Sequence, residues 1–441
     1  MQKPLIAALL ASAFLTLDAQ AADLLQVYQQ ALANDATYAS ARASAQAGRE
    51  RITQGRSGLL PTVGITGDVT HSTSDQNSTQ IVPGSSYSGT SKGITVALSQ
   101  PLFRWDRWET YQQSKLQQAI SEAQFAQAQQ DLITRVAQAY FDVLAAQDTL
   151  ESTRAQKVAT TEQLASAKRN FEVGTQTITD THEAQAAYDL VVSQEIAAVN
   201  DLENKKTALQ AIIGTPPAPL ATLRTGVTLA PPQPANVDQW VSAAENQNYA
   251  VTVAQLALAS AQRDISKNRA GHYPTVDLVA SSNHRDVGGQ PVGTPNRTTT
   301  NQIGVQYSIP IFSGYAVTSR VREAIALEDK ARNDLEANRR NAALTARQSY
   351  LGVSSGMAQV KALEAAEVSS NSALESNKLG YQVGVRINID VLNAQRQLYQ
   401  TRTDLARARY NTIVAGLRLK AAAGSLREED LQPINALLQQ P

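Results

Sequence analysis

The side chains with the most chemical promise lie in two stretches set 210 residues apart. The first is Phe171-Glu172-Val173-Gly174-Thr175-Gln176-Thr177-Ile178-Thr179-Asp180, followed by Glu183-Ala184-Gln185. The second is Tyr381-Gln382-Val383-Gly384-Val385-Arg386-Ile387-Asn388-Ile389-Asp390, followed by Asn393-Ala394-Gln395. Each reads as the tight end of a helical hairpin. Gly174 and Gly384 supply the φ > 0 at which a helix exits. Asp180 and Asp390 then fall in the first turn of the next helix, where a negative charge suits the dipole. Only the second copy carries a phenol and a cation, Tyr381 and Arg386, where the first has Phe171 and Gln176. This chemistry is hydrogen bonding and ion pairing, with Asp180 the expected acceptor that holds the second hairpin to the first.

Covalent chemistry has no candidate elsewhere. The four histidines, His71, His182, His272 and His284, are scattered and there is no Cys, so neither a metal site nor a disulfide is expected. No phosphate-binding glycine loop and no nucleophile motif is present. A formal net charge of zero gives no case for a nucleic-acid partner. Asn77-Ser78-Thr79 and Asn296-Arg297-Thr298 fit the glycosylation pattern, but matches this short carry no weight.

The elements that must position the two stretches are long helices. Only 5% of residues are aromatic, and Ala, Gln, Ser and Thr dominate, which suits narrow helix packing better than a thick core. From Trp105 to Glu172 there is no Gly and no Pro. A helix of that length runs to roughly 100 Å, beyond the use of a compact domain. The N-terminus reads as a secretory signal peptide: Lys3, an apolar run from Leu5 to Leu17, and Ala19-Gln20-Ala21 for cleavage before Ala22. No other stretch is long and apolar enough to cross a membrane as a helix, and with no Cys after the cleavage site no lipid anchor is expected.

After cleavage the chain repeats one programme twice. Asp23 to about Gly58 is helical. Val63, Ile65 and Val69 then alternate with Thr62, Gly64, Thr66, Asp68 and Thr70. A polar, turn-rich stretch runs from His71 to Ser91, and Ile94, Val96 and Leu98 alternate with Thr95, Ala97 and Ser99. Two strands of nine or ten residues have the length of a membrane-spanning β-hairpin. Phe103, Trp105 and Trp108 mark an interface level. The second helix of the hairpin ends near Ile213, and Gly214 to Pro234 is a Pro-rich connector. Val237 to Asn268 is again helical, and Gly271-His272-Tyr273-Pro274-Thr275-Val276 repeats Gly58-Leu59-Leu60-Pro61-Thr62-Val63 at an offset of 213. Val276, Leu278 and Ala280 form the third strand, with Val279 on the polar face. A second polar loop, Ser282 to Asn301, precedes Ile303, Val305, Tyr307 and Ile309 in the fourth. Helices from about Tyr315 to Leu379 and on to about Ala423 complete the copy. Four strands cannot close a barrel and lipid tolerates no open edge, so the chain must oligomerise. Two copies give eight strands with a filled interior, and three give twelve with a lumen. The polar faces (Thr66, Asp68, Thr95, Ser99, Gln306, Ser308) suit the latter.

This order resembles the TolC family of outer-membrane efflux and secretion channels. The resemblance rests on Leu59-Leu60-Pro61, Ala139-Tyr140-Phe141-Asp142-Val143-Leu144, Phe171-x-Val173-Gly174, Gly380-Tyr381-x-Val383-Gly384-x-Arg386, Ile389-Asp390-Val391-Leu392 and Ala408-Arg409-Tyr410-Asn411. It implies a mainly α fold with a membrane β-barrel. The protomer is internally duplicated, in a homotrimer whose twelve-stranded β-barrel joins a twelve-helix periplasmic α-barrel. The expected parts are the signal peptide (1–21), first repeat (22–213), equatorial connector (214–235), second repeat (236–423) and C-terminal equatorial tail (424–441).

The resemblance also assigns residues. Val173, Gly174, Val383 and Gly384 stand where family tips dock a periplasmic adaptor. Asp180, Thr179, Tyr381 and Arg386 match a latch closing the periplasmic end. Asp390 matches an acidic selectivity ring, whereas Asn393 stands where a second acidic ring is expected, a departure that predicts weaker cation binding. The implied function is an exit duct without cofactor or enzymatic step. It is driven through its adaptor by an inner-membrane efflux pump or ABC exporter, for multidrug efflux, type I protein secretion or both. The alternative class is a periplasmic coiled-coil adaptor or tether, which carries one hairpin rather than two hairpins and two strand pairs.

Overall fold

The computed structural model describes residues 21–76, 85–224, 226–288 and 296–439. The signal peptide up to Gln20, the Asn77-Ser78-Thr79 match and the last two residues of the tail lie outside the described residues. The elements run in the order α1 (Leu24–Asn34), α2 (Ala36–Ser57), β1 (Thr62–Gln76), β2 (Ser85–Phe103), α3 (Trp105–Glu172) and α4 (Ile178–Ile213). The second copy follows with α5 (Val237–Gln247), α6 (Tyr249–Arg269), β3 (Thr275–Val287), β4 (Asn296–Ser308), α7 (Ala316–Gln382), α8 (Asn388–Ala422) and a short α9 (Leu431–Asn435).

The stretch from Trp105 to Glu172 is one helix of 68 residues, with the bounds its missing Gly and Pro predict. The helices expected over Asp23–Gly58 and Val237–Asn268 are instead each broken once, at Asp35 and Asn248, which are 213 residues apart. Both break residues are extended (φ −67°, ψ 115° and φ −63°, ψ 132°) and both cap the helix they begin. Asp35 accepts from the Tyr38 N–H at 2.6 Å, and Asn248 accepts from the Ala250 N–H at 2.9 Å. An Asx side chain satisfies an orphan donor of the new helix, so the break costs little.

The chain divides into two compact units. One takes the N-terminal stretch up to Ala43, Gln124–Val251 and the C-terminal stretch from Asn338. Its core gathers Tyr140, Phe141 and Leu144 of α3, Leu209 and Ile213 of α4, Leu417 of α8, and Leu431 and Leu438 of the tail. Phe141 stacks on Tyr410 with ring centroids 5.5 Å apart. The buried Tyr140 hydroxyl donates to the carbonyls of Ala221 at 2.7 Å and Ala22 at 3.2 Å. The connector and tail join this core through single bridges, Ala22 with Leu220 and Leu223 with Leu438.

The other unit takes Ser44–Ala123 and Thr252–Ala337 and holds the sheet, in the antiparallel order β1-β2-β3-β4. The register sets Val63 opposite Leu98 and Ile65 opposite Val96, then Leu98 opposite Ala280, and Ala280 opposite Ile303. One face is therefore apolar and largely exposed, with Ile65 73% and Ile303 79% accessible. Thr66, Asp68, Thr95, Ser99, Asn283, Gln306 and Ser308 share the other face, where Asp68 pairs with Arg285 at 3.6 Å. Val279 does sit on the polar face, opposite Ser99.

The strands are longer than expected. Pairing continues through His71–Gln76 and Ser85–Ser91, and through Ser282–Val287 and Asn296–Asn301, all of it read as loop from polarity. Above the apolar band both faces are polar, so the alternation that marks a half-buried strand vanishes while the backbone ladder continues. Serine and threonine hydroxyls stitch this part together. His71 bonds Thr90 at 3.1 Å and Ser88 at 3.0 Å, and His284 bonds Thr299 at 2.7 Å.

Candidate functional site

The two tips have the same backbone. Gly174 at φ 77° and Gly384 at φ 79° end α3 and α7 in the left-handed conformation. The N–H groups of Thr175 and Gln176 return to the Asn170 carbonyl, and those of Val385 and Arg386 return to Gly380. A Cβ built on either glycine meets nothing within 4 Å. Val173 and Val383 beside them are 73% and 65% exposed, so both tips present an apolar residue and open space.

The tips diverge at the next turn. Thr177 caps α4 in a capping box in which its hydroxyl and N–H both bond the Asp180 carboxylate, at 2.7 and 3.0 Å. The Asp180 carboxylate is thus occupied by its own helix start, and Thr179 lies in the same first turn. In the second copy the cap position is Ile387, which has no side-chain acceptor. Asp390 is released from that duty and lies 3.7 Å from the Arg386 guanidinium, one turn back. Asn393 accepts from Arg396 at 3.0 Å. Both positions assigned to a selectivity ring therefore have an arginine beside them.

The structure brings the two hairpins together through Tyr381 and a residue that sequence reasoning missed. The Tyr381 hydroxyl accepts from the Gln176 amide and lies 3.5 Å from Asn170 Nδ2. Asn388, with no exposed surface, accepts from the Gln163 amide of α3 and donates to the Asp180 backbone carbonyl at 3.2 Å. Asp180 thus receives the second hairpin through its main chain, while Arg386 turns to Asp390. The signal for Asn388 was present in the repeat: the matching position of the first copy is Ile178. Leu164, Ala167, Ala184 and Leu392 pack close by.

No group of acidic or histidine side chains among the described residues could hold a metal ion. No helix among them is long and apolar enough to cross a membrane.

The family model described as outer membrane efflux protein matches residues 27–215 and 240–425, the two copies in turn. The chain belongs to that family. It is 34% identical to the outer membrane protein TolC of Vibrio cholerae over 418 residues, 94% of each chain. It is 33% identical to the alkaline protease secretion protein AprF of Pseudomonas aeruginosa over 429 residues, 95% of this chain and 88% of that one. Among solved structures, the outer membrane protein VceC of Vibrio cholerae matches with a TM-score of 0.78 over 91% of this chain and 96% of its own, at 18% identity. Family membership makes this an outer-membrane channel of a Gram-negative bacterium, an exit duct for efflux or secretion, and not an enzyme.

Proposed function

We propose that three copies form a gated duct that receives cargo from an inner-membrane pump or ABC exporter through a periplasmic adaptor. The observation that carries this reading is the sheet. It has an apolar exposed face, a polar opposite face, and edges at β1 and β4 that its own strands leave unpaired. In lipid each such edge needs a partner, and twelve strands leave a lumen for the polar face. The parts then divide as the repeats do: first repeat (22–213), connector (214–235), second repeat (236–423) and tail (424–441), with the N-terminal 1–21 removed on export.

The tip residues Val173, Gly174, Val383 and Gly384 offer the adaptor two apolar knobs beside open glycines. The gate is held by Tyr381 on the Gln176 amide and by Asn388 on Gln163 and the Asp180 carbonyl, with Thr179 in the turn beside them and Arg386 drawn to Asp390 of its own helix. Neutral hydrogen bonds of this kind contribute about 0.5–1.5 kcal/mol each, and threefold repetition keeps the entrance mostly shut. A docking adaptor supplies the differential binding that opens it. The test is planar-bilayer recording on protein of trimeric mass in detergent. The wild type should give small single-channel conductance, and Tyr381→Phe with Arg386→Ser should raise it several-fold. A monomeric mass, or no pores from either protein, would sink the duct; equal conductances would remove the latch.

Ion selectivity should follow the paired charges. With Arg386 at 3.7 Å, Asp390 retains only part of its field, and Asn393 adds none. The wild type is expected to show weak cation preference and weak block by multivalent cations. Asp390→Ala should abolish that preference, whereas Arg386→Ser should strengthen it. Reversal potentials in a salt gradient decide between this and an Asp390 remote from the pore axis.

A further inference from the structure

Between the Pro-rich connector, the tail and α8 lies a cavity of about 400 Å³, near the lower end of the range for small-molecule sites, about 300–1,000 Å³. All of its walls belong to one chain and to the unit built on the Tyr140–Phe141 core. Leu229 and Pro231 of the connector, Pro433 and Ile434 of the tail, Trp240 of α5 and Val353 of α7 supply aliphatic and aromatic surface. Trp240 is buried and its indole N–H donates to the Pro234 carbonyl at 2.8 Å, which leaves only its ring for the cavity. Thr412, Gly416 and Lys420 follow one another at four-residue spacing along one face of α8 and form a further wall. The Thr412 hydroxyl is occupied within the helix, donating to the Ala408 carbonyl at 2.8 Å. Gly416 stands in the body of α8 without the positive φ that would call for glycine, and a Cβ there would meet nothing within 4 Å. Helix stability alone favours alanine at such a position, so the glycine costs stability and widens the cavity. The first copy has a cleft at the matching place, 210 residues back, where Val143, Leu202 and Lys206 replace Val353, Thr412 and Gly416 beside Pro217 and Pro219. That cleft carries Glu151, Arg154 and Lys206, whereas charge in the second is confined to Lys420 and Asp430.

These two charged groups define one polar end. Lys420 Nζ donates to Asp430 Oδ1 at 2.7 Å, and Asp430 Oδ2 accepts from the Arg427 N–H at 2.8 Å. Both carboxylate oxygens are thus engaged. The ammonium carries three donors and, among the described residues, uses one of them on Asp430. The Lys420 side chain is 40% exposed, so this end opens to solvent. The unmet capacity at the mouth is therefore for an acceptor. We propose that the cavity binds a small amphiphile with an alkyl body and a carboxylate head, a medium-chain carboxylate. The alkyl body lies along Gly416 between the Trp240 ring and the proline-bearing walls, and the head accepts from Lys420. Removal of apolar surface from water drives entry, while the ammonium selects the head group and fixes its orientation. An occupant touches connector, tail and α8 at once, and it stabilises their packing by mass action. The site lies away from the tips and the gate and does not depend on the trimer.

Tryptophan fluorescence tests it, because Trp105→Phe with Trp108→Phe leaves Trp240 as the one tryptophan of the chain. In that background, octanoate titrated into the detergent-solubilised full-length protein should change the Trp240 emission saturably. Gly416→Leu should abolish the change. Gly416→Ala, which the helix favours, should weaken it several-fold and decides alone where the leucine variant fails to fold. Lys420→Met should weaken octanoate about tenfold, as loss of one hydrogen bond to a charged group implies, and leave octanol binding unchanged. Lys420→Arg should retain octanoate. An unsaturable change, or an equal change in wild type and both glycine variants, would place octanoate in the micelle and overturn the site. Equal affinity for octanol and octanoate in the wild type would overturn the carboxylate head. Tighter binding of octylammonium would do the same, assigning the mouth to the acidic run Glu428, Glu429 and Asp430.

Discussion

Tryptophan at Gly174 or Gly384 is expected to abolish export in cells while leaving the trimer at wild-type abundance in the outer membrane. The physical argument separates two costs. A side chain at φ near 77–79° is strained, but only by about 1–2 kcal/mol per residue. Hairpins of 68 and 36 residues in one copy, and 67 and 35 in the other, absorb that at their ends. Within the chain the first atom of the new side chain enters open space, since nothing lies within 4 Å of a Cβ at either position. What it does fill is the open space between exposed Val173 or Val383 and whatever approaches the tip. Asparagine tolerates the left-handed conformation and is short, so Gly384→Asn should keep most export and serve as the control for backbone strain. Export assayed beside detergent-extracted trimer gives the answer. Loss of the trimer with tryptophan would assign the glycines to the turn alone and withdraw them from adaptor docking.

Which parts were legible in the sequence follows from what each signal reports. The absence of Gly and Pro from Trp105 to Glu172 marks a helix because nothing in the stretch disfavours one, and the observed bounds agree. The tips were legible because a left-handed helix exit selects glycine, and the 210-residue offset repeats the selection. Strand length was not legible beyond Thr70, where both faces turn polar and period-two alternation carries no information. The breaks at Asp35 and Asn248 were hidden because an Asx residue within a helical pattern is common; only the tertiary environment decides whether it caps. Among the tip residues, composition showed that Tyr381 and Arg386 were special but not where they point. Thr177 engages Asp180 and Ile387 leaves Asp390 free, and that cap difference turns Arg386 toward its own helix. Asn388 required the comparison of the two copies at one further position.

Arg135→Met should strongly destabilise the unit built on the Tyr140–Phe141 core. Asp35 at the α1–α2 break is 4% exposed, and Arg135 of α3 grips it with two bonds, at 2.9 and 3.1 Å. Removing the guanidinium leaves a buried carboxylate with only backbone donors. Breaking such pairs costs about 3–5 kcal/mol, and the lower end applies here because the Arg135 side chain keeps 38% of its surface in water. Asp35→Asn should cost less, since an amide oxygen still accepts the Tyr38 N–H. Burial pushes the Asp35 carboxyl up, but the Arg135 fork and the Tyr38 N–H outweigh it and hold the group below its ordinary value. A carboxyl lowered in this way stabilises the fold above the ordinary carboxylate range and loses that contribution as pH falls through its folded pKa. Without Arg135 the burial effect alone remains and the carboxyl takes up its proton at higher pH. The gap between wild type and variant should therefore be widest near neutrality and narrow in acid. Thermal unfolding of both proteins from pH 7 down to pH 3 reads that convergence directly, and parallel curves would mean that Arg135 acts through packing of its aliphatic stem rather than through its charge.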